Sequence, residues 1–166
     1  WFLGALVLVL FFLLEGRIGL FLAGAGTRAR LISAALVSLS MNALHPGDTS
    51  LGGMFFGFTA GYAVMLRYFP FSAASPGGDK KTRFGVLSLR TALGFAGAVF
   101  IYFGLKKVFP GEDSLLAGLP GWGGDSPHYG LGRFIRYGLL GFWGSAGAPR
   151  LFLRLRLAAR TEKGRG

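Results

Sequence analysis

His45, Asp48, Thr49 and Ser50 lie within one six-residue stretch, His-Pro-Gly-Asp-Thr-Ser. A histidine close to a carboxylate can act as a nucleophile with its orienting group, and neighbouring hydroxyls can hydrogen-bond an anion. The stretch opens into an apolar segment, and the N–H groups at a helix start also attract anions. The functional reading of Thr49 and Ser50 is therefore contact with a lipid headgroup. The plainer reading is a turn whose Asp48, Thr49 or Ser50 caps a helix. Arg133 and Arg136, three apart, share one helix face. Such a pair can clamp a lipid phosphate through bidentate guanidinium geometry, or simply snorkel to an interface beside Tyr137.

Other chemistries are poorly served. The chain has no cysteine, so thiolate nucleophiles, disulfides and Cys-based metal sites are excluded. His128 sits in a loop-like Asp-Ser-Pro-His-Tyr-Gly run, far from His45, with no recurring ligand spacing, so no metal is expected. The many glycines fit neither a phosphate-binding loop nor a dinucleotide pattern. No cofactor is expected.

The elements that would carry these residues are membrane helices. Of 166 residues, 52% are hydrophobic and only 15% charged, against about 25% in an ordinary soluble domain. Mean hydropathy is +0.51. The net charge of +11 comes from basic residues flanking apolar stretches. That pattern anchors helices at headgroups, and no recognition module surrounds the charges, so no nucleic-acid partner is expected.

The fold expected is all-α, a polytopic bundle of four or five membrane helices. Trp1–Leu14 is apolar but short, and residues 18–26 are too short to span, which suggests an interfacial or re-entrant piece. Leu31–Leu44 reaches spanning length if Arg28 and Arg30 snorkel. Leu51–Leu66 carries Gly53, Gly57 and Gly61 at four-residue intervals, a face that lets another helix approach closely. Residues 72–83 read as a polar loop and 106–130 as a long one. Phe84–Leu105 is a full span holding one charge, Arg90, which either snorkels or pairs with a buried partner. Leu131–Leu153 is the last span, with Gly138, Gly141, Gly144 and Gly147 three apart, and the basic tail from Arg154 reads as frayed.

Charge asymmetry orients the bundle. If Trp1 starts outside and the spans alternate, only Lys106, Lys107, Arg133 and Arg136 fall outside, and the other fourteen of eighteen basic residues fall inside. The expectation is a multi-pass protein of a bacterial inner membrane. The His45 loop would lie outside and the C-terminal tail in the cytoplasm. Beginning at Trp1, with no initiating methionine and no basic leader, the chain reads as a fragment.

Trp1-Phe2-Leu3-Gly4-Ala5-Leu6-Val7 resembles the start of the last core helix of the type-2 phosphatidic acid phosphatases, and later segments resemble the extra helices of bacterial members. The landmarks are most specific over residues 38–67 and 131–152. The resemblance divides the chain into residues 1–17 (last core helix), 18–153 (additional membrane helices) and 154–166 (basic tail). It implies a parent enzyme that hydrolyses a lipid phosphomonoester or diphosphate, without metal, through a phosphohistidine. Its partners would be the bilayer, the lipid-phosphate substrate and catalytic helices upstream of Trp1.

Ser38-Leu39-Ser40-Met41-Asn42-Ala43-Leu44-His45-Pro46-Gly47-Asp48, followed by Leu51-Gly52-Gly53, is similar to a degraded copy of that family's third motif. Ser38 and His45 keep the spacing. Leu39 stands where the phosphate-binding Arg belongs, and Asp48 follows His45 by three residues instead of four. Without the guanidinium, charge on a transferring phosphoryl group is unsupported. No catalytic residue is therefore expected in this chain, His45 and Asp48 being the only remnant. The competing class is non-enzymatic, a membrane scaffold or transporter portion, because short broken apolar segments beside polar loops also build transporter sites.

Overall fold

A computed structural model describes residues 9, 12–17, 20, 24–45, 47–72, 80–108 and 127–160. Helix α1 spans Thr27–Leu44 and α2 Ser50–Tyr68. A two-residue strand β1 (Phe71–Ser72) follows, then α3 (Lys80–Val108) and α4 (Pro127–Phe142). A π-helical turn at Trp143–Gly147 leads into α5 (Ala148–Arg154), and β2 (Ala159–Arg160) pairs antiparallel with β1. The expected all-α class holds. By length and apolarity one described helix can cross a membrane, Phe84–Val108, with mean hydropathy 1.7.

Small residues make the interior. The buried apolar side chains include Ala34, Ala63, Ala146, Ala148 and Ala158, with Met65 and Phe152 the large ones. Large apolar side chains point outward instead, among them Phe84, Phe95, Phe100 and Leu44, each more than 70% exposed. A protein in water rarely exposes that much contiguous apolar surface, whereas lipid costs it nothing.

The glycine ladder on α2 faces α4, and the two helices run parallel across the most extensive interface among the described residues. A methyl group on Gly53 would strike the Phe134 backbone, and one on Gly57 would come within 2.7 Å of Gly138 Cα. On Gly61 it would reach Phe142 O at 3.0 Å, and on Gly141 it would meet Phe58 N at 2.8 Å. Backbone therefore lies against backbone, which only glycine permits. A methyl group on Gly144 would meet nothing within 4 Å and the atoms nearest one on Gly147 belong to Trp143, so the three-residue glycine repeat of the last span contributes Gly138 and Gly141 to this interface.

α1 closes antiparallel on α2: buried Ser38 donates its hydroxyl to Gly52 O at 2.7 Å. α3 runs antiparallel to α4 and is held by Trp143, whose Nε1 donates to Gly94 O at 3.0 Å. Pro149 explains the π turn. Proline lacks an N–H and crowds the carbonyl four residues back, and a wider turn leaves it room. Ala148 N–H duly reaches Trp143 O, five residues back.

Four sequence readings change. Residues 80–83 and 106–108, read as loop, are helical, and so are 127–130, which places exposed His128 in the first turn of α4. Polar composition alone does not end a helix. The tail is not frayed over 154–160. α5 ends in a Schellman closure, Leu157 N–H to Phe152 O at 2.9 Å and Arg156 N–H to Leu153 O at 3.2 Å, with Arg156 left-handed at φ 57°. Ala158 then packs in a cluster with Ala148 and Phe152. Arg90 takes the buried-partner option: it is 6% exposed, and Nε donates to Leu157 O at 2.8 Å, with Nη2 on the same oxygen. The readings of Trp1–Leu14, of residues 18–26 and of the centres of both loops fall mostly outside the described residues.

Candidate functional site

The turn between α1 and α2 meets the start of α4, and this junction gathers most of the candidate residues. His45 ends α1, its N–H bonded to Met41 O, and Asp48 N–H donates to His45 O at 3.1 Å to close the turn. Thr49 is the N-cap of α2, but its hydroxyl does not cap. It donates to Gly130 O at 2.6 Å, tying the turn to α4. Capping falls to Asp48, whose Oδ1 accepts Ser50 N–H at 2.9 Å.

The same Oδ1 stands 3.2 Å from Arg133 Nη2. Ser50 holds the Asp48 carboxyl below the ordinary range, first through its nearby hydroxyl and then through its amide, with Arg133 and His45 adding positive charge. That hydroxyl lies close without hydrogen-bond geometry, so Ser50 Oγ is buried and unpartnered among the described residues. Asp48 is thus committed to a cap and an arginine. The His45 side chain is exposed, and no hydrogen bond joins it to Asp48 among the described residues.

Arg133 and Arg136 do share a face. Arg133 is a quarter exposed and lies 5.9 Å from the Tyr129 ring centroid. Arg136 is 8% exposed, its guanidinium 5.6 Å from the Tyr102 ring and 5.1 Å from that of Tyr137. The Nε atoms of both arginines are buried without a hydrogen-bond partner, and Arg136 has no ion pair among the described residues. Aromatic faces relieve part of a desolvated cation's cost. They do not replace an anion, and a buried guanidinium without one is expensive.

The arrangement can therefore hold an anion and can order the turn, but it presents no nucleophile–base pair. No group of three or more His, Cys, Asp or Glu that could bind a metal occurs among the described residues. Sequence reasoning found Asp48, Thr49, Ser50, Arg133 and Arg136, and it missed Tyr102. The only signal for Tyr102 was an aromatic close to the end of an apolar span. The remnant's Ser38 bonds Gly52, and Leu39 is 62% exposed on the outward side, so both serve α1 as a helix.

A family model described as PAP2 superfamily phosphatase, transmembrane extension, matches residues 49–160. The match takes in α2 through β2, including Thr49, Ser50, Arg133 and Arg136. No curated protein and no solved structure matches the chain.

Proposed function

The chain belongs to the PAP2 superfamily phosphatase transmembrane-extension family, a membrane portion of such phosphatases, and from that premise we propose that its helices flank the catalytic helices of a lipid-phosphate phosphatase and help hold the substrate headgroup. Hydrolysis itself would be the work of helices carrying the histidine and arginine motifs, none of which occurs intact in these residues. Arg136 and Arg133 would grip the lipid phosphate, with Thr49 and Ser50 at the edge of the site. Asp48 would keep Arg133 from swinging away.

The observation that carries the reading is Arg136: a buried guanidinium on a family-matched helix, its Nε unpartnered and no counter-ion among the described residues. A lipid phosphate supplies the missing charge. The finer topology belongs to the same proposal. α1, α2 and the α4–α5 rod would cross the bilayer beside α3, the Asp48 end outside and the Arg150 end inside. Their alternating directions and the charge asymmetry support it.

The test is steady-state kinetics of the full-length protein on phosphatidic acid in mixed micelles. Replacing Arg133 and Arg136 with Gln is expected to raise KM about tenfold or more with kcat little changed, the loss of charged hydrogen bonds made equally in ground and transition states. Unchanged kinetics would remove the headgroup role. The 166-residue chain alone is expected to release no phosphate from phosphatidic acid.

A further inference from the structure

At the far end of α2 from Asp48 lies a cavity of about 610 Å³. Val64, Tyr68 and Phe69 form one wall, Arg150, Leu153 and Arg154 of α5 a second, and Ala158 of the returning tail closes it. Arg150 and Arg154 are one turn apart on the same helix face, where like charges repel. The described residues contain two carboxylates, Glu15 and Asp48, and neither lines the cavity; Asp48 is taken by Ser50 and Arg133. Arg154 in the last turn also offsets the helix dipole. Arg150 has no such role; its guanidinium lies 5.8 Å from the Phe69 ring.

The pocket is built, not left over. Its Ala158 wall exists because the chain reverses at Arg156, in a left-handed conformation that residues other than Gly, Asn and Asp rarely adopt. The reversal is pinned by the buried Arg90 side chain, whose donors both meet Leu157 O. β1 and β2 fasten the next residues. The αL arginine and the buried cation together hold the wall that closes a pocket of seven lining residues, two of them Arg150 and Arg154.

Depth identifies the ligand. α2 has 19 residues, roughly 28 Å of helix, close to the hydrocarbon thickness of a bilayer. With α2 crossing the bilayer as proposed above, a pocket at its end sits at headgroup level, with the two cations on the α5 wall and Val64, Tyr68 and Phe69 on the wall facing them. We propose that this pocket binds a phosphate group at the membrane surface opposite the Arg133–Arg136 cluster, with a monoester lipid headgroup as its carrier. The site goes beyond the headgroup role proposed for that cluster, and its test reads binding without turnover.

The test is hydrogen-exchange mass spectrometry on the full-length protein in phosphatidylcholine nanodiscs, alone, with phosphatidic acid supplied as its non-hydrolysable phosphonate analogue, or with inorganic phosphate. Phosphatidic acid is expected to slow exchange about tenfold in peptides covering residues 64–69 and 150–158. The protection should vanish in Arg150→Gln/Arg154→Gln. Val64→Phe, which fills the cavity and keeps both charges, should also abolish it. Protection by phosphatidic acid alone assigns the lipid as source, and protection by inorganic phosphate as well assigns the free anion. No protection with either, or protection that survives both variants, overturns the proposal.

Discussion

The two ends of α2 solve the same problem differently. At the Ser50 end a carboxylate is present, and Asp48 divides itself between a helix start and Arg133. At the Tyr68 end no described carboxylate lines the cavity, and Arg150 and Arg154 face it with an aromatic ring for company. One end neutralises Arg133 internally and leaves a single buried cation, Arg136, without a counter-ion among the described residues. The other leaves a pair. Asp48 fixes Arg133 in place, whereas Arg136, Arg150 and Arg154 have no ion pair among the described residues, and their proposed roles leave their charge to a ligand.

The comparison depends first on the spine that holds the ends apart. Gly57→Leu should have the largest effect. Its side chain would occupy the place of the Gly138 backbone, and overpacking that cannot relax costs about 3 kcal/mol or more. Gly144→Leu, with nothing within 4 Å, should stay within about 0.5 kcal/mol. Reversible unfolding in mixed micelles measures both, and equal effects would mean that α2 and α4 do not meet through glycine.

Arg90→Met comes next and acts on the Tyr68 end alone. It removes the donors on Leu157 O, so the tail should detach, at a cost of about 1.5–3 kcal/mol for a charged hydrogen bond. Limited proteolysis should then cut near residues 155–160 while the Asp48 end keeps its protection. Asp48→Ala should cost about 1 kcal/mol, and Asp48→Asn less, because Asn still caps Ser50 while losing only a half-exposed ion pair. The Asp48 contribution has a definite pH sign. A carboxyl whose pKa is lowered on folding stabilises above its unfolded value, about 3.9, and loses that contribution as pH falls through the depressed folded value. Wild type should therefore match Asp48→Asn at strongly acid pH and exceed it slightly at neutral pH. The smallest effect is a gain: Arg156→Gly should stabilise by at most about 1 kcal/mol by relieving the left-handed backbone.

Periodicity made one half of this structure legible. Gly53, Gly57 and Gly61 announced a close-packing face, and Arg133 with Arg136 a shared one. It could not name the helix opposite, because a repeat defines a face and not a neighbour. Arg90 showed that it needed a partner, but the partner is a backbone carbonyl 67 residues away with no side-chain signature. The tail was opaque for a related reason. Its reversal uses an arginine where glycine is the usual sign, and basic composition otherwise suggests fraying. Polar residues at 80–83 and 127–130 hid helix starts, since charge at a helix end is as common as charge in a loop. Pro149 was a visible hint of irregularity, although not that it would be a π turn.

The opposition between the ends is most directly tested by their sides. The chain contains no cysteine, so His45→Cys and Leu155→Cys, both at exposed positions, can each be introduced as its sole thiol. Labelling intact cells with a membrane-impermeant maleimide should modify the residue at 45 at once and the residue at 155 only after permeabilisation. Labelling of both from the same side would contradict the account, because the anion cluster and the arginine pocket would then face one headgroup layer.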